Sequence, residues 1–309
     1  FALFPLRVCI LLWLFLNVYL LWLSVSLIVK NFKKNNSHFI PRLYLFWMLV
    51  WCFGLGFSGL RNGQMNLFIM ILTLFVAYSL QRKKDGWVCF WLNLGLALKP
   101  TMIILYLLVL GCRPKIFPKL LLGLIIVMAF PFLTQSPNYV ISQYYDSWLN
   151  FTSTVNIGVN TTNWASFFNA LKVFHLGLSH DLVNIVIVMM ALLTYFYSLF
   201  LYKRNNFHDW CWSLACIATI YLLLFNPRTE NNGYILLAPF IGYAIADAWQ
   251  YKKFGRVISV FIMGVLIALN YDISRHLIHG TTSWVAPLVT AVFAVYWICY
   301  VDLRKSVKS

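Results

Sequence analysis

Eleven apolar runs, joined by junctions that are basic at every second step, limit what this chain can fold into. They are Val8 to Val29, Leu43 to Phe57, Leu67 to Leu80, Trp87 to Leu98, Met102 to Leu110, Leu120 to Leu133, Leu182 to Leu201, Trp210 to Phe225, Tyr234 to Trp249, Val257 to Asn270 and Trp284 to Tyr300. A helix needs about 20 apolar residues to cross bilayer hydrocarbon. Several runs are shorter, so their helices are expected to extend into the polar flanks. Only 10% of the 309 residues are charged and 61% are hydrophobic, whereas soluble chains carry about 25% charged residues. Too few charges remain to cover a surface in water, which excludes nucleic-acid binders and secreted disulfide scaffolds. The seven cysteines have neither disulfide nor zinc spacing and read as small buried residues. The expected fold is all-α, a polytopic transmembrane bundle forming one integral membrane domain over residues 1–309.

Basic residues fix the expected orientation. Of the 24 Lys and Arg, 18 lie in six clusters, at 30–42, 82–84, 113–119, 203–204, 252–256 and 304–308. Cytoplasmic loops collect Lys and Arg, so these junctions are expected inside, with Phe1 outside and Ser309 cytoplasmic in a plasma (inner) membrane. Trp87 to Leu110 has basic residues at both ends and is broken by Lys99-Pro100. It reads as two short helices, or a re-entrant pair, with Lys99 at the outward tip; one kinked helix with a snorkelling Lys99 is the alternative. Residues 135–181 read as an outward loop whose opening, from Tyr139 to Leu149, has apolar residues at the spacing of a helix lying in the membrane surface. Trp47, Trp51, Trp87, Trp210, Trp249 and Trp284 read as interfacial anchors at helix ends.

Six cations are left over, one per outward segment: Arg7, Arg61, Lys99, Lys172, Arg228 and Arg275. A lipid headgroup accounts for a lone interfacial cation. Arg61, Lys99 and Arg228 need more, because each interrupts apolar sequence, where an unpaired charge is expensive. An anionic substrate group, phosphate above all, would pair with them. Their neighbours are rich in amides. Gln64 and Asn66 follow Arg61 across a Gly63 turn, and Arg228 is followed by Glu230, Asn231 and Tyr234. Such donors and acceptors suit sugar hydroxyls; the plainer reading is ordinary turn formation, with Arg228 and Glu230 neutralising each other.

These residues resemble glycosyltransferase family 87, of the GT-C superfamily of polyprenyl-phosphate-sugar-dependent, mannosyltransferase-like membrane enzymes. Gly63-Gln64-Met65-Asn66 matches its Gly-Gln-x-Asn signature, and Gly95-Leu96-Ala97-Leu98-Lys99-Pro100 its Gly-Leu-Ala-x-Lys-Pro signature. Phe1 to Asn17 resembles the stretch after the family's first outward loop, and Asn160 to Leu171 a polar segment before a helix. Asn226 to Pro239 resembles its late outward loop, although Trp and His are common there where this chain has Glu230 and Asn232.

The resemblance implies transfer of a hexose or pentose from a polyprenyl-phosphate donor to a hydroxyl of a glycan or glycolipid acceptor, with inversion, at the extracytoplasmic face of the cell envelope. Lys99, Arg61 and Arg228 would bind the donor phosphate; Gln64, Asn66, Glu230, Asn231 and Tyr234 would bind sugar or acceptor. The lipid-linked sugar is the donor substrate, and no cofactor or metal is implied. The superfamily's base is an Asp in the first outward loop, which would precede Phe1. Because the chain opens on Phe1 and enters an apolar run at once, an N-terminally truncated sequence is expected, with Glu230 as the fallback base. Membrane lipids are the other partners. The main rival is a multi-pass transporter or lipid-glycan flippase, built around the broken pair at Lys99. A glycan ligase leaning on His175 and His180 ranks below it.

Overall fold

The computed structural model describes residues 5–35, 38–61, 63–160, 164–277 and 284–302, with side chains at all of these except 35, 58–59, 61, 151–160, 270–277 and 302. Within them the regular structure is entirely helical. The α-helices are α1 (Leu6–Asn35), α2 (Pro41–Arg61), α3 (Asn66–Gln81), α4 (Asp85–Leu98), α5 (Ile103–Cys112), α6 (Phe117–Ala129), α7 (Pro137–Asn160), α8 (Phe167–Val173), α9 (His180–Arg204), α10 (Phe207–Phe225), α11 (Ala238–Gln250), α12 (Phe254–Leu277) and α13 (Val285–Tyr296). Each of the eleven apolar runs overlaps one α-helix, with short 3₁₀ or π turns adjoining it at Pro100–Met102, Phe130–Leu133, Asn231–Leu237 and Trp297–Asp302. The remaining two, α7 and α8, lie in the long polar stretch before α9.

Four helical stretches among the described residues are long and apolar enough to cross a membrane, namely Leu6–Lys34, Pro114–Leu133, His180–Arg204 and Phe207–Phe225. They do not occupy equivalent places. α10 is buried along nearly its whole length against α3, α5, α9 and α13, whereas α1, α6 and α9 sit outside and expose apolar faces. On α6, Leu122 and Ile126 are 60% and 57% exposed. A soluble protein does not tolerate apolar surface of that extent, so these faces meet lipid, and α3, α10 and α11 form the interior.

The helices break where local chemistry requires. Proline disfavours the helical region for the residue before it, and Lys99, preceding Pro100, is extended at φ −148°, ψ 115°. The chain then turns back. Asp85 at the start of α4 and Arg113 just past α5 form an ion pair at 3.0 Å. Trp87 to Leu110 is therefore a hairpin of two short helices, and the kinked-helix alternative falls. At 1.5 Å per residue, the 14 residues of α4 reach only about 21 Å, so neither arm spans a bilayer alone.

Three of the basic junctions converge on one end. Lys83 and Arg113 lie over the Phe207 ring, 5.4 and 5.6 Å from its centroid, joining the α3–α4, α5–α6 and α9–α10 junctions. Beside them Asn31 donates to the Gln81 side chain (2.8 Å), and Gln81 donates to the His208 carbonyl (3.1 Å). The starts of α4 and α10 and the end of α3 are therefore neighbours, which puts Lys99, Asn226 and Asn66 at the other end. Two expected anchors are not at an interface: Trp51 and Trp210 are buried, and the Trp210 indole donates to the Ser198 carbonyl at 3.1 Å. Trp87 and Trp249 are exposed, as an anchor requires.

Candidate active site

Three chain breaks meet at the end opposite the basic junctions: the turn before α3, the Lys99 break and the loop after α10. The α2–α3 turn closes through Gly63, whose φ of +65° is open to glycine at little cost. It delivers Asn66 as the first, buried residue of α3. Lys99 reaches across from the hairpin tip and donates from Nζ to Asn66 Oδ1 at 2.5 Å. Gly95 makes room for this tip, since a Cβ there would lie 2.9 Å from the Met102 side chain. Below it, a cavity of only about 20 Å³ between Thr73, Thr101 and Leu222 shows a closely packed floor.

The electrostatics are those of a cation held out of water. Burial pulls the Lys99 ammonium below its ordinary pKa, and the Glu230 carboxylate opposes that shift. Glu230 is exposed and lies within electrostatic reach of Lys99. The start of α3 adds to the positive field: no side chain caps it, and free amides at a helix start favour an anion. Gln64 Oε1 is buried without a hydrogen-bond partner.

The loop after α10 is held by its own hydrogen bonds. Thr229 Oγ1 donates to the Asn226 carbonyl at 2.9 Å, and the Arg228 amide donates to Asn226 Oδ1 at 3.2 Å. The loop is also tied to the segment before α8. The Ala165 amide donates to the Thr229 carbonyl at 2.6 Å, and the Tyr234 hydroxyl donates to the Ala165 carbonyl at 2.7 Å. Arg228 does not pair with Glu230: its guanidinium lies over the Trp164 ring, 5.6 Å from the centroid, and its Nε is buried without a partner.

The sequence-derived residues therefore separate into groups. Lys99 and Asn66 are hydrogen-bonded, and Glu230 lies within electrostatic reach of Lys99. Gln64 and Arg228 occupy the turn and loop beside them, and Asn231 opens the turn of 3₁₀-helix at Asn231–Leu237. Tyr234 is buried, with its hydroxyl committed to Ala165. The Arg61 side chain lies outside the described residues. Trp164, Ala165 and Thr229 were not singled out from sequence, because two of them contribute backbone groups and Trp164 follows a stretch that reads as a surface loop. Among the described residues, no group of His, Cys, Asp and Glu could hold a metal ion.

Neither a curated protein nor a solved structure matches the chain. The family model for glycosyltransferase family 87 matches residues 1–227, which include both the turn carrying Gln64 and Asn66 and the break carrying Lys99. With close to three quarters of its length matched, the chain belongs to glycosyltransferase family 87.

Proposed function

We propose that this glycosyltransferase moves a hexose or pentose from a polyprenyl-phosphate donor to an acceptor hydroxyl at the extracytoplasmic face, with inversion at the anomeric carbon. The observation that carries the reading is Lys99, drawn from an apolar hairpin onto Asn66 beside an uncapped helix start. An ammonium has three donors, and Asn66 takes one, leaving two for phosphate oxygens. As the bond between the anomeric carbon and the phosphate oxygen breaks, its electron pair stays on the phosphate, whose charge grows from one to two. A fixed cation therefore binds the transition state more tightly than the ground state, which is the condition for catalysis. Arg228 supplies a second cation at the same end of the bundle.

On the opposite face of the sugar, the acceptor oxygen forms the new bond to the anomeric carbon and gives its proton to a carboxylate. Glu230, exposed and within reach of the Lys99 charge, is the carboxylate this chain offers. The resemblance supplies the other candidate, an Asp of the family's first outward loop. Gln64, Asn66 and Asn231 offer amides to sugar and acceptor hydroxyls. An alternating-access transporter would use the broken pair differently; membership in a glycosyltransferase family favours transfer.

The test is transfer of labelled sugar by the full-length protein in lipid nanodiscs, from a polyprenyl-phosphate donor and, separately, from a nucleotide-sugar donor. Lys99→Ala should lower kcat by roughly 10²–10³-fold, the usual loss for removing one stabilising donor, and the product should have the inverted anomeric configuration. Transfer from the nucleotide sugar alone, or an undiminished Lys99→Ala variant, would remove the assignment. Full activity in Glu230→Gln would give the proton to the other carboxylate.

A further inference from the structure

The structure assigns Trp164 as the positioning residue for the Arg228 guanidinium. The inference rests on the donor reading above only for what the guanidinium grips; the pairing itself stands on geometry. Ring and cation sit on adjoining, directly bonded stretches of backbone, because the amide of Ala165, next to Trp164, donates to the carbonyl of Thr229, next to Arg228, at 2.6 Å. The Trp164 side is fixed further by Asn169 Nδ2, which donates to the Trp164 carbonyl at 2.8 Å, and by Ser166, whose side chain caps α8 through the Asn169 amide. The Arg228 side is fixed by the bonds of Thr229 and Asn226 described above.

A membrane-anchoring tryptophan turns its ring to lipid. This one is half-buried and lies beneath a guanidinium. A cation–π contact takes none of the guanidinium N–H donors, and those donors are what bind an oxyanion in two places at once. Arg228 Nε is one such donor, buried and unpartnered. Held this way, the guanidinium loses less side-chain freedom when phosphate arrives, so the ring contributes to binding without touching the ligand.

Two readouts test this in full-length protein in nanodiscs. The first is the rate at which phenylglyoxal modifies Arg228, followed by mass spectrometry of the peptide, with no donor present. Trp164→Leu should react several-fold faster than the native protein, while Trp164→Phe, which keeps an aromatic face, should react at close to the native rate. The second is binding of polyprenyl monophosphate, with inorganic phosphate as the parallel ligand. Trp164→Leu should weaken binding on the order of tenfold, between the exposed and the desolvated values for a cation–π contact, with recovery in Trp164→Phe and no further loss when Trp164→Leu is added to Arg228→Gln. Binding of both ligands makes the site a phosphate site, and binding of the lipid alone makes the isoprenoid part of the recognition. An unchanged Arg228 modification rate in Trp164→Leu overturns the inference, as does a full binding loss by Trp164→Leu on top of Arg228→Gln. If the native protein binds neither ligand while the modification rate still responds, the donor reading fails and the positioning role stands. Should Trp164→Leu not fold, Trp164→Met enters the same comparison.

Discussion

Lys99 and Glu230 have opposite effects on one another's usefulness, and this separates binding from chemistry. On the proposed reading, phosphate binding needs Lys99 charged, so it would be complete below the lysine's pKa and lost as pH rises through it. Burial lowers that pKa, so the loss is expected at lower pH than for a solvent-exposed lysine. The Glu230 charge holds the pKa up; removing it in Glu230→Gln should move the loss to still lower pH. At neutral pH the same variant should bind polyprenyl monophosphate at least as well as the native protein, since it no longer repels the anion, even where transfer is slowed. Lys99→Arg should abolish the alkaline loss, because a guanidinium stays charged throughout, although its planar fork cannot reproduce the point contact with Asn66. Binding titrations from pH 7 to 11 for the three proteins would check the order; an alkaline limb unmoved by Glu230→Gln would separate the two groups.

Among the elements, α2 and α11 approach most demandingly. A Cβ on Gly242 would lie 2.5 Å from the backbone of Met48 and of Trp47, and backbone cannot swing aside as a side chain can. Small residues let membrane helices pack this closely, and the 3₁₀ turn leading into α11 follows directly on the Glu230 loop. Gly242→Ala should therefore destabilise the fold by about 1–3 kcal/mol or more, in the range of overpacking, read as a lower melting temperature in detergent. Gly54→Ala and Gly86→Ala, where a Cβ meets nothing within 4 Å, are the controls. Elements of this kind differ in how far sequence discloses them. The eleven apolar helices were legible because length and apolarity alone specify a helix in lipid. Lys99 and Asn66 were legible because a charge and an amide interrupt apolar sequence, where they are costly. The bond from Ala165 to Thr229 was not, because backbone groups carry no residue signature. Trp210 and Trp51 were misread for a related reason: a tryptophan near a helix end looks the same whether its ring faces headgroups or fills the bundle.

At the scale of the whole molecule, two ends with different chemistry face apart. One gathers the α3–α4, α5–α6 and α9–α10 junctions, with Lys83 and Arg113 on Phe207 and the Asp85–Arg113 pair. The other gathers isolated cations with amides and a carboxylate around Lys99. Since α10, long and apolar enough to cross a membrane, runs from one end to the other, a membrane surrounding the exposed faces of α1, α6 and α9 would separate them. On the proposed reading, retention of Lys and Arg on the cytoplasmic side would turn the Lys99 end outward, where lipid-linked donor and acceptor would meet. Single cysteines test this orientation. Cys52, Cys89, Cys112, Cys211 and Cys216 are buried, so replacing Cys9 and Cys299 with Ser leaves a background poorly reactive to aqueous thiol reagents. Glu230→Cys and Lys84→Cys each place a thiol at an exposed position, one at each end. In intact cells a membrane-impermeant maleimide should label Glu230→Cys and spare Lys84→Cys until the membrane is permeabilised. The reverse pattern would put the Lys99 end in the cytoplasm and with it the sugar donor's phosphate, which would require a donor presented from inside the cell. Labelling of both from the same side would mean that the two ends do not lie across a bilayer from one another, and that Lys99, Asn66 and Glu230 meet on the same face as the basic junctions.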